Sequence, residues 1–524
     1  MTRPEMLAQL EDRHGEWDIV IVGGGATGVG VAIDAAARGY RTLLLEGSDF
    51  GKGTSSRSTK LVHGGVRYLE QGNVSLVMEA LKERGILRQN APHLVGNLGF
   101  VVPNYDWWEA PFYGIGLKAY NLLSGKYGFG PSKILSREET LQRIPTLNQD
   151  GLRGGVSYYD GQFDDARLLI NMVATAAEQG ATVLNYVRVT RLLLNNEGFV
   201  RGLIAQDGES SNEYEISAKV VVNATGPWTD GLRKMADPDA KPMISPSQGI
   251  HLVFDRSFLP GDTAIMVPHT SDGRVLFAIP WHNHTLVGTT DTPIKESPLE
   301  PSPKAAEIEF ILNTATEYLQ KPPTRADVLA VFTGIRPLVK AGSSNNTAAL
   351  SRDHTIHVDK SGLLSITGGK WTTYRHMAED CVDHAATLAD LPDKACVTRT
   401  LKIHGFAPPT EQRTHMSFYG SDAAGIEQIS QTDARLNERL VPELPYTGAE
   451  VIWAARSEMA RNVEDILARR TRALFLNSKA AIQAAPKAAA LLARELGRDE
   501  TWQAEQLSQF NAVARHYTLE GVVD

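Results

Sequence analysis

Asp18-Ile19-Val20-Ile21-Val22 runs without a break into Gly23-Gly24-Gly25-Ala26-Thr27-Gly28, and this junction decides the fold. Four consecutive β-branched residues form the kind of apolar run that a parallel sheet buries on both faces. Gly23, Gly25 and Gly28 then stand at G-x-G-x-x-G spacing. A helical pattern continues through Val29, Ala32, Ile33 and Ala36 to Gly39, and Thr42-Leu43-Leu44-Leu45 reads as a second strand ending at Glu46. One glycine makes the tight turn and a second lets a pyrophosphate approach the backbone. The third lets helix and strand pack closely, while the helix N-terminus offers N–H groups and partial positive charge. Glu46, at the tip of the second strand, is placed to accept ribose hydroxyls. The segment is therefore predicted to bind a dinucleotide.

Two further strand-to-glycine junctions lie far downstream. Val220-Val221-Val222-Asn223-Ala224-Thr225-Gly226-Pro227-Trp228 ends a strand in a Gly-Pro turn, and Leu364-Ser365-Ile366-Thr367-Gly368-Gly369-Lys370 leads into a helical run at Trp371-Thr372-Thr373-Tyr374. Three such junctions suit one long cofactor touched by discontinuous pieces of chain, which favours FAD over NAD.

The composition narrows the class. The 524 residues carry 53 basic and 61 acidic side chains, a net charge of −8, which argues against a nucleic-acid binder. The two cysteines, Cys381 and Cys396, form no metal-ligand pattern; no disulfide framework and no metal site are expected, and a reducing cytosolic compartment fits. The polar N-terminal stretch has no apolar core of a secretory signal, and no uncharged run reaches the roughly 20 residues needed to cross a bilayer.

Longer blocks carry a resemblance. Gly53-Thr54-Ser55-Ser56-Arg57-Ser58-Thr59-Lys60-Leu61-Val62-His63-Gly64-Gly65-Val66-Arg67-Tyr68-Leu69-Glu70 resembles the block that follows the dinucleotide fold in FAD-dependent glycerol-3-phosphate dehydrogenases. Asn223 to Trp228, Gly288-Thr289-Thr290-Asp291, Gly334-Ile335-Arg336-Pro337-Leu338 and Gly368 to Arg375 resemble later blocks of that family in the same order. Asp465 to Arg472 resembles its helical appendage.

The resemblance implies an α/β fold (α+β overall) like that of D-amino-acid oxidase. A Rossmann-type FAD domain (17–100, 165–235 and 335–400) would interleave with an antiparallel-sheet substrate domain (101–164 and 236–334), followed by a C-terminal all-helical cap (401–524). It also implies oxidation of sn-glycerol 3-phosphate to dihydroxyacetone phosphate by hydride transfer from C2 to flavin N5. Electrons would pass to a quinone, the protein sitting peripherally on the inner, cytoplasmic face of the cell membrane. A homodimer is left open. The rival readings are an oxidase on the same scaffold that uses O₂, and a flavin-binding protein without turnover.

The resemblance assigns residues to three tasks. Arg67, Arg336 and Arg352 are the guanidinium candidates for the substrate phosphate, with Tyr68 as an added hydroxyl donor. Arg336 is expected at a strand end, held by turn residues. His251 and His63 are the candidate bases, because an imidazole near neutrality suits removal of the hydroxyl proton, while an arginine acting as base, with Arg336 as a catalytic candidate, stays open. Gln248 stands where the family pattern has a basic residue, which would weaken a phosphate contact. Lys370 is placed at the flavin or the substrate. Cofactor contacts are expected from Gly23, Gly25, Gly28, Glu46, Thr54, Ser55, Ser56, Thr59, Lys60, Ala224, Gly226, Gly368, Gly369, Lys370, Thr372 and Thr373.

Trp107-Trp108 opens an aromatic stretch in which Phe112, Ile115, Ala119 and Leu122 share one helical face. Such a face either packs into the core or lies in a membrane interface, with Lys118 and Lys126 as basic flanks. Arg469, Arg470 and Arg472 with Lys479 form a basic cluster, read either as a headgroup contact or as a solvated or internally paired face. His404-Gly405-Phe406-Ala407-Pro408-Pro409 is a candidate linker, and Pro486 is expected to start or kink a helix.

Overall fold

The computed structural model describes residues 1–11, 15–65, 73–268, 270, 273–340, 353–410 and 414–524, with the side chain of Lys126 left aside. The junction quoted first folds as its pattern requires. Trp17–Val22 is a strand, Ala26–Ala37 a helix and Thr42–Leu45 the next strand. Ile19, Val20 and Ile21 are fully buried, and each such side chain contributes about 1.5–3 kcal/mol on leaving water.

Trp17–Val22 sits at the centre of the first sheet. It pairs in parallel with Thr42–Leu45 on one side and Glu213–Asn223 on the other. Thr182–Leu184 extends the first edge and Leu364–Gly368 the second, both in parallel. The three strand-to-glycine junctions therefore end side by side at one edge of a single sheet. His354–Val358 closes the far edge as an antiparallel strand, and the hairpin Val187–Leu194 and Val200–Asp207 branches from Glu213–Asn223.

The second sheet has ten strands among the described residues. Ile244–Asp255 lies between Ala330–Val339 and His284–Gly288, antiparallel to both, so His251 faces Phe332 and Ser247 faces Arg336 in register. The sheet is antiparallel throughout except where Thr263–Val267 runs parallel to Gly96–Asn104. Leu61–Val62, inside the 17–100 segment expected of the nucleotide-binding unit, pairs with Gly161–Gln162 in this second sheet. The chain thus crosses from one sheet to the other within a few residues of Thr59.

Residues beyond 414 are mainly helical, and their apolar faces share one core with the second sheet, including Phe332, Phe475 and Tyr517. Pro486 does not start a helix: Ser478–Leu496 runs through it. Cys381 and Cys396 are both free.

Candidate active site

Where the three junctions converge lies a cleft of about 460 Å³, lined along one wall by Gly23, Gly25 and Glu46 and along the other by Ala224, Gly226 and Gly368 to Trp371. Gly23 takes a φ of +116°, and a Cβ at Gly28 would overlap the Gly23 carbonyl oxygen. Both positions therefore need glycine: the first for its backbone, the second for close approach. Glu46 accepts the N–H of Gly24 (2.7 Å) and of Ser48 (2.8 Å), which fixes the carboxylate at the strand tip. Burial pushes its pKa up, and those two N–H groups hold it back. At the helix start one N–H is already taken, because Ser55 Oγ accepts from Ala26 (2.9 Å).

A second cleft of about 240 Å³ opens from the first, and both are lined by Thr54, Pro337, Gly368, Gly369, Lys370 and Trp371. The Trp371 indole donates to the Ser55 carbonyl (2.9 Å) and Thr54 Oγ1 to the Ile335 carbonyl (2.6 Å), which pins the shared wall. The second cleft holds Thr59, His63, His251, Arg336 and Thr372. An elongated ligand in the first cleft would present one end to these side chains.

Arg336 lies within the Ala330–Val339 strand rather than at its end, because the strand continues past Pro337 to pair with Ile244–Ser247. Its guanidinium donates to Asp291 Oδ1 (3.2 Å), Thr289 Oγ1 (3.2 Å) and the Thr290 carbonyl (3.0 Å). Asp291 also accepts the Ser247 hydroxyl. These contacts aim the guanidinium before any anion arrives. His251 stacks on Phe332 (4.8 Å between centroids, 15° between planes), and its Nε2 is hydrogen-bonded to Thr59 Oγ1 (2.9 Å). Burial, followed by the positive charges of Lys60 and Arg336, holds its pKa well below that of an ordinary imidazole. His63 presents its backbone N–H to Thr372 Oγ1 (3.2 Å), while its ring meets Phe277 edge-on.

Several expected positions fall elsewhere. Arg67, Tyr68 and Arg352 lie outside the described residues. Lys60 faces away from both clefts: it is fully buried and donates from Nζ to Asp165 Oδ2 (2.7 Å) and the Ser56 carbonyl (2.8 Å). Desolvation lowers its pKa to about 7, against the opposing pull of Asp165. Ser56 is buried behind the cleft wall, its carbonyl shared by Lys60 and Arg472 (2.8 Å). Thr373 is buried in the helical turn, bonded to the Lys370 carbonyl (3.3 Å). Gln248 donates to Glu307 Oε2 (2.8 Å) and is not among the residues lining either cleft.

The basic cluster is not a surface. Arg469, Arg470 and Arg472 are almost wholly buried. Arg469 and Arg470 converge on Asp49, each at 2.5 Å, and Arg472 reaches Asp165 (3.1 Å). Lys479 alone of the four is exposed. The aromatic stretch does the reverse. Glu109–Ser124 is a helix that buries Tyr113, Leu117 and Tyr120 and leaves Ile115 at 72% and Leu122 at 83% exposure, next to Trp107 at 77%.

Sequence reading missed Arg188, Lys52 and Arg57. Arg188 and Lys52 line the first cleft and Arg57 the second. Arg188 arrives there through the Thr182–Leu184 pairing, which no local pattern announces. Arg57 is one residue of a polar run, set apart by partners far away in sequence, Glu300 (2.9 Å) and the Thr333 carbonyl (3.2 Å).

Comparison with known proteins places these features. Residues 18–375 match the family of FAD dependent oxidoreductases, and residues 364–503 match the C-terminal domain of alpha-glycerophosphate oxidase. The chain is 41% identical to the probable mitochondrial glycerol-3-phosphate dehydrogenase of Caenorhabditis elegans, over 97% of this chain and 74% of that one. The identity with the mitochondrial glycerol-3-phosphate dehydrogenase of Homo sapiens is also 41%, with the same coverage. Among solved structures, the glycerol-3-phosphate dehydrogenase of Bacillus halodurans complexed with FAD superposes with a TM-score of 0.81 at 29% identity, covering 99% of this chain and 98% of that one. The FAD-bound L-alpha-glycerophosphate oxidase of Mycoplasma pneumoniae gives 0.56 at 17% identity, over 74% of this chain and 98% of that one, a likeness of fold.

Proposed function

The chain belongs to the FAD-dependent glycerol-3-phosphate dehydrogenase family, and on that footing we propose that it delivers the electrons of glycerol 3-phosphate to a quinone at a membrane surface. FAD is its cofactor, and the first cleft fits it: the glycine cradle at the helix start suits a pyrophosphate, and Glu46 suits a ribose. When bound, FAD supplies the two-electron acceptor for the hydride that leaves C2 of the substrate, the product being dihydroxyacetone phosphate.

The chain's own residues do the rest. Arg336, held by Asp291 and Thr289, takes the substrate phosphate with its fork of donors. His251, kept neutral by burial and two nearby cations, is the base whose Nε2 becomes protonated as the C2 hydroxyl loses its proton. His63 and Lys370 line the far wall, Lys370 where the two clefts join. The observation that supports this reading is the joining of the two clefts at Gly368 to Trp371, with Arg336 and His251 lining the second cleft beside that junction.

Anaerobic titration of the FAD-loaded protein with glycerol 3-phosphate tests it. Loss of the oxidised flavin absorbance, restored by a soluble quinone far faster than by air, is the expected result. Fast restoration by air with peroxide release makes the protein an oxidase, and a flavin that stays oxidised refutes the substrate assignment.

Membrane attachment is proposed through Trp107, Phe112, Ile115 and Leu122, at the inner face of the cell membrane. No helix among the described residues is long and apolar enough to cross a bilayer. The exposed aromatic and aliphatic face suits a helix lying in the interface instead. Ile115→Glu with Leu122→Glu is expected to abolish co-sedimentation with vesicles while leaving turnover with a soluble quinone intact; retained sedimentation refutes this surface.

A further inference from the structure

We propose that Thr59 is a catalytic proton relay, which takes the C2 hydroxyl proton of the substrate while passing its own hydroxyl proton to His251 Nε2. The inference rests on the reading of His251 as the base. No atom is gained or lost: the substrate O–H bond breaks as a new Thr59 O–H bond forms, and the old one breaks as the His251 N–H forms. The hydride leaves C2 in the established oxidation.

Three observations carry it. First, Thr59 Oγ1 is 2.9 Å from His251 Nε2, and both side chains line the same cleft as Arg336. Second, His251 Nδ1 is buried and has no hydrogen-bond partner among the described residues. The imidazole thus exchanges protons through Nε2, and Nε2 is met by Thr59. A hydroxyl both donates and accepts, so it passes a proton without carrying charge itself.

Third, the loop bearing Thr59 is fastened from behind. Asp165 Oδ2 accepts from the Ser58 N–H (3.0 Å), the Ser58 hydroxyl (2.7 Å) and Lys60 Nζ (2.7 Å). Arg472, delivered by the C-terminal helical region, binds the other Asp165 oxygen (3.1 Å) and the Ser56 carbonyl (2.8 Å). Lys60 takes a φ of +65°, a conformation that a residue with a side chain holds only when its surroundings impose it. Lys60, Asp165 and Arg472 are therefore positioning residues, acting through Thr59. The charged groups nearest the imidazole are Lys60, whose Nζ lies 4.8 Å over the other packed ring, Phe332, and Arg336 across the cleft.

The test compares Thr59→Val, Thr59→Ser, His251→Asn and the Thr59→Val/His251→Asn double variant, all FAD-loaded. The readouts are the anaerobic rate of flavin reduction and KM. Loss of a positioned proton acceptor slows a reaction about 10²–10⁴-fold. Thr59→Val is expected to slow reduction about a hundredfold with KM changed less than about threefold, Thr59→Ser to restore most of it, and the double variant to be no slower than His251→Asn. If Thr59→Val loses FAD, Thr59→Ala replaces it.

A normal rate in Thr59→Val beside a slow His251→Asn overturns the relay alone. So does a Thr59→Ser as slow as Thr59→Val, or a double variant in which the two losses multiply. A normal rate in His251→Asn removes the base itself, and the relay with it.

Discussion

Asp49→Asn is the most informative single change away from the chemistry. Asp49 is fully buried and accepts from Arg469 Nε (2.5 Å), Arg470 Nη1 (2.5 Å) and Nη2 (2.9 Å), and Asn185 Nδ2 (3.1 Å). Breaking one partner out of a buried ion pair costs about 3–5 kcal/mol, because the remaining charge stays buried. Arg469 retains Glu464 and Asp465, whereas Arg470 retains only the Glu458 carbonyl and its carboxylate at 3.9 Å. With Arg469 still paired, the lower end applies, about 3 kcal/mol.

The shift in melting temperature then reports the size of the cooperative unit. At about 2.1 cal/mol/K per residue the whole chain gains roughly 1.1 kcal/mol/K on unfolding, so 3 kcal/mol lowers Tm by about 3 °C. If the helical region after 400 undocks first, its roughly 120 residues give about 0.25 kcal/mol/K and a drop near 12 °C in a separate early transition. Scanning calorimetry of the FAD-loaded protein distinguishes the two. The burial of Asp49 alone would raise its pKa; Arg470 and Arg469 override this and hold it well below the usual range. A carboxylate depressed in the folded state stabilises above its unfolded pKa and loses that contribution as pH falls through the folded value. The wild-type advantage should therefore be full from about pH 5 upward and shrink in acid. A variant melting within about 1 °C of wild type at neutral pH refutes the argument, since no buried pair of this geometry is that cheap to break.

Arg336→Met is expected to lower kcat/KM for glycerol 3-phosphate about 10- to 100-fold, the worth of a charge-assisted hydrogen bond pair, and to change turnover of unphosphorylated glycerol far less. Equal losses on both substrates would remove Arg336 from the phosphate. Gly28→Ala is expected to purify without flavin colour, because its Cβ collides with the Gly23 carbonyl at the turn; full flavin content shows the turn to be more yielding than its geometry. His404 bonds Asp422 (2.9 Å) and Glu178 (2.5 Å), which raise its pKa to about 9. A raised imidazole stabilises fully below its unfolded pKa and ceases to do so as pH rises through 9. The melting difference between wild type and His404→Gln should accordingly be present at pH 6 and vanish by pH 10, and a difference independent of pH rules out the charge as its source.

The nucleotide-binding half was legible because its signals are local. Strand, glycine turn, helix and terminal acid follow each other from Asp18 to Glu46, and each residue type serves its position wherever the rest of the chain lies. The same holds for Ala224 to Gly226 and Gly368 to Lys370, where strand ends and glycines announce themselves. The second cleft was legible through resemblance: His251, Arg336, His63 and Thr372 do meet there.

What the linear chain leaves open is the partner and the direction of each charged side chain. The motif lists Ser55, Ser56, Thr59 and Lys60 as one polar run, yet the crossing between two sheets turns Ser55 and Thr59 to the clefts and Lys60 into the core. For Arg469 and Arg470 the sequence leaves a headgroup contact, a solvated face and an internally paired face equally open, because the carboxylate on which both converge, Asp49, stands about 420 positions away. The apolar face at Ile115 and Leu122 has the period of a core helix and is exposed. Hydrophobic period and turn chemistry are properties of short segments, so the sequence by itself determined the elements and the dinucleotide junction. Burial and ion pairing are properties of which segments meet, so only the tertiary structure decided which cation is held inside, which hydroxyl touches His251, and which apolar face stays in water.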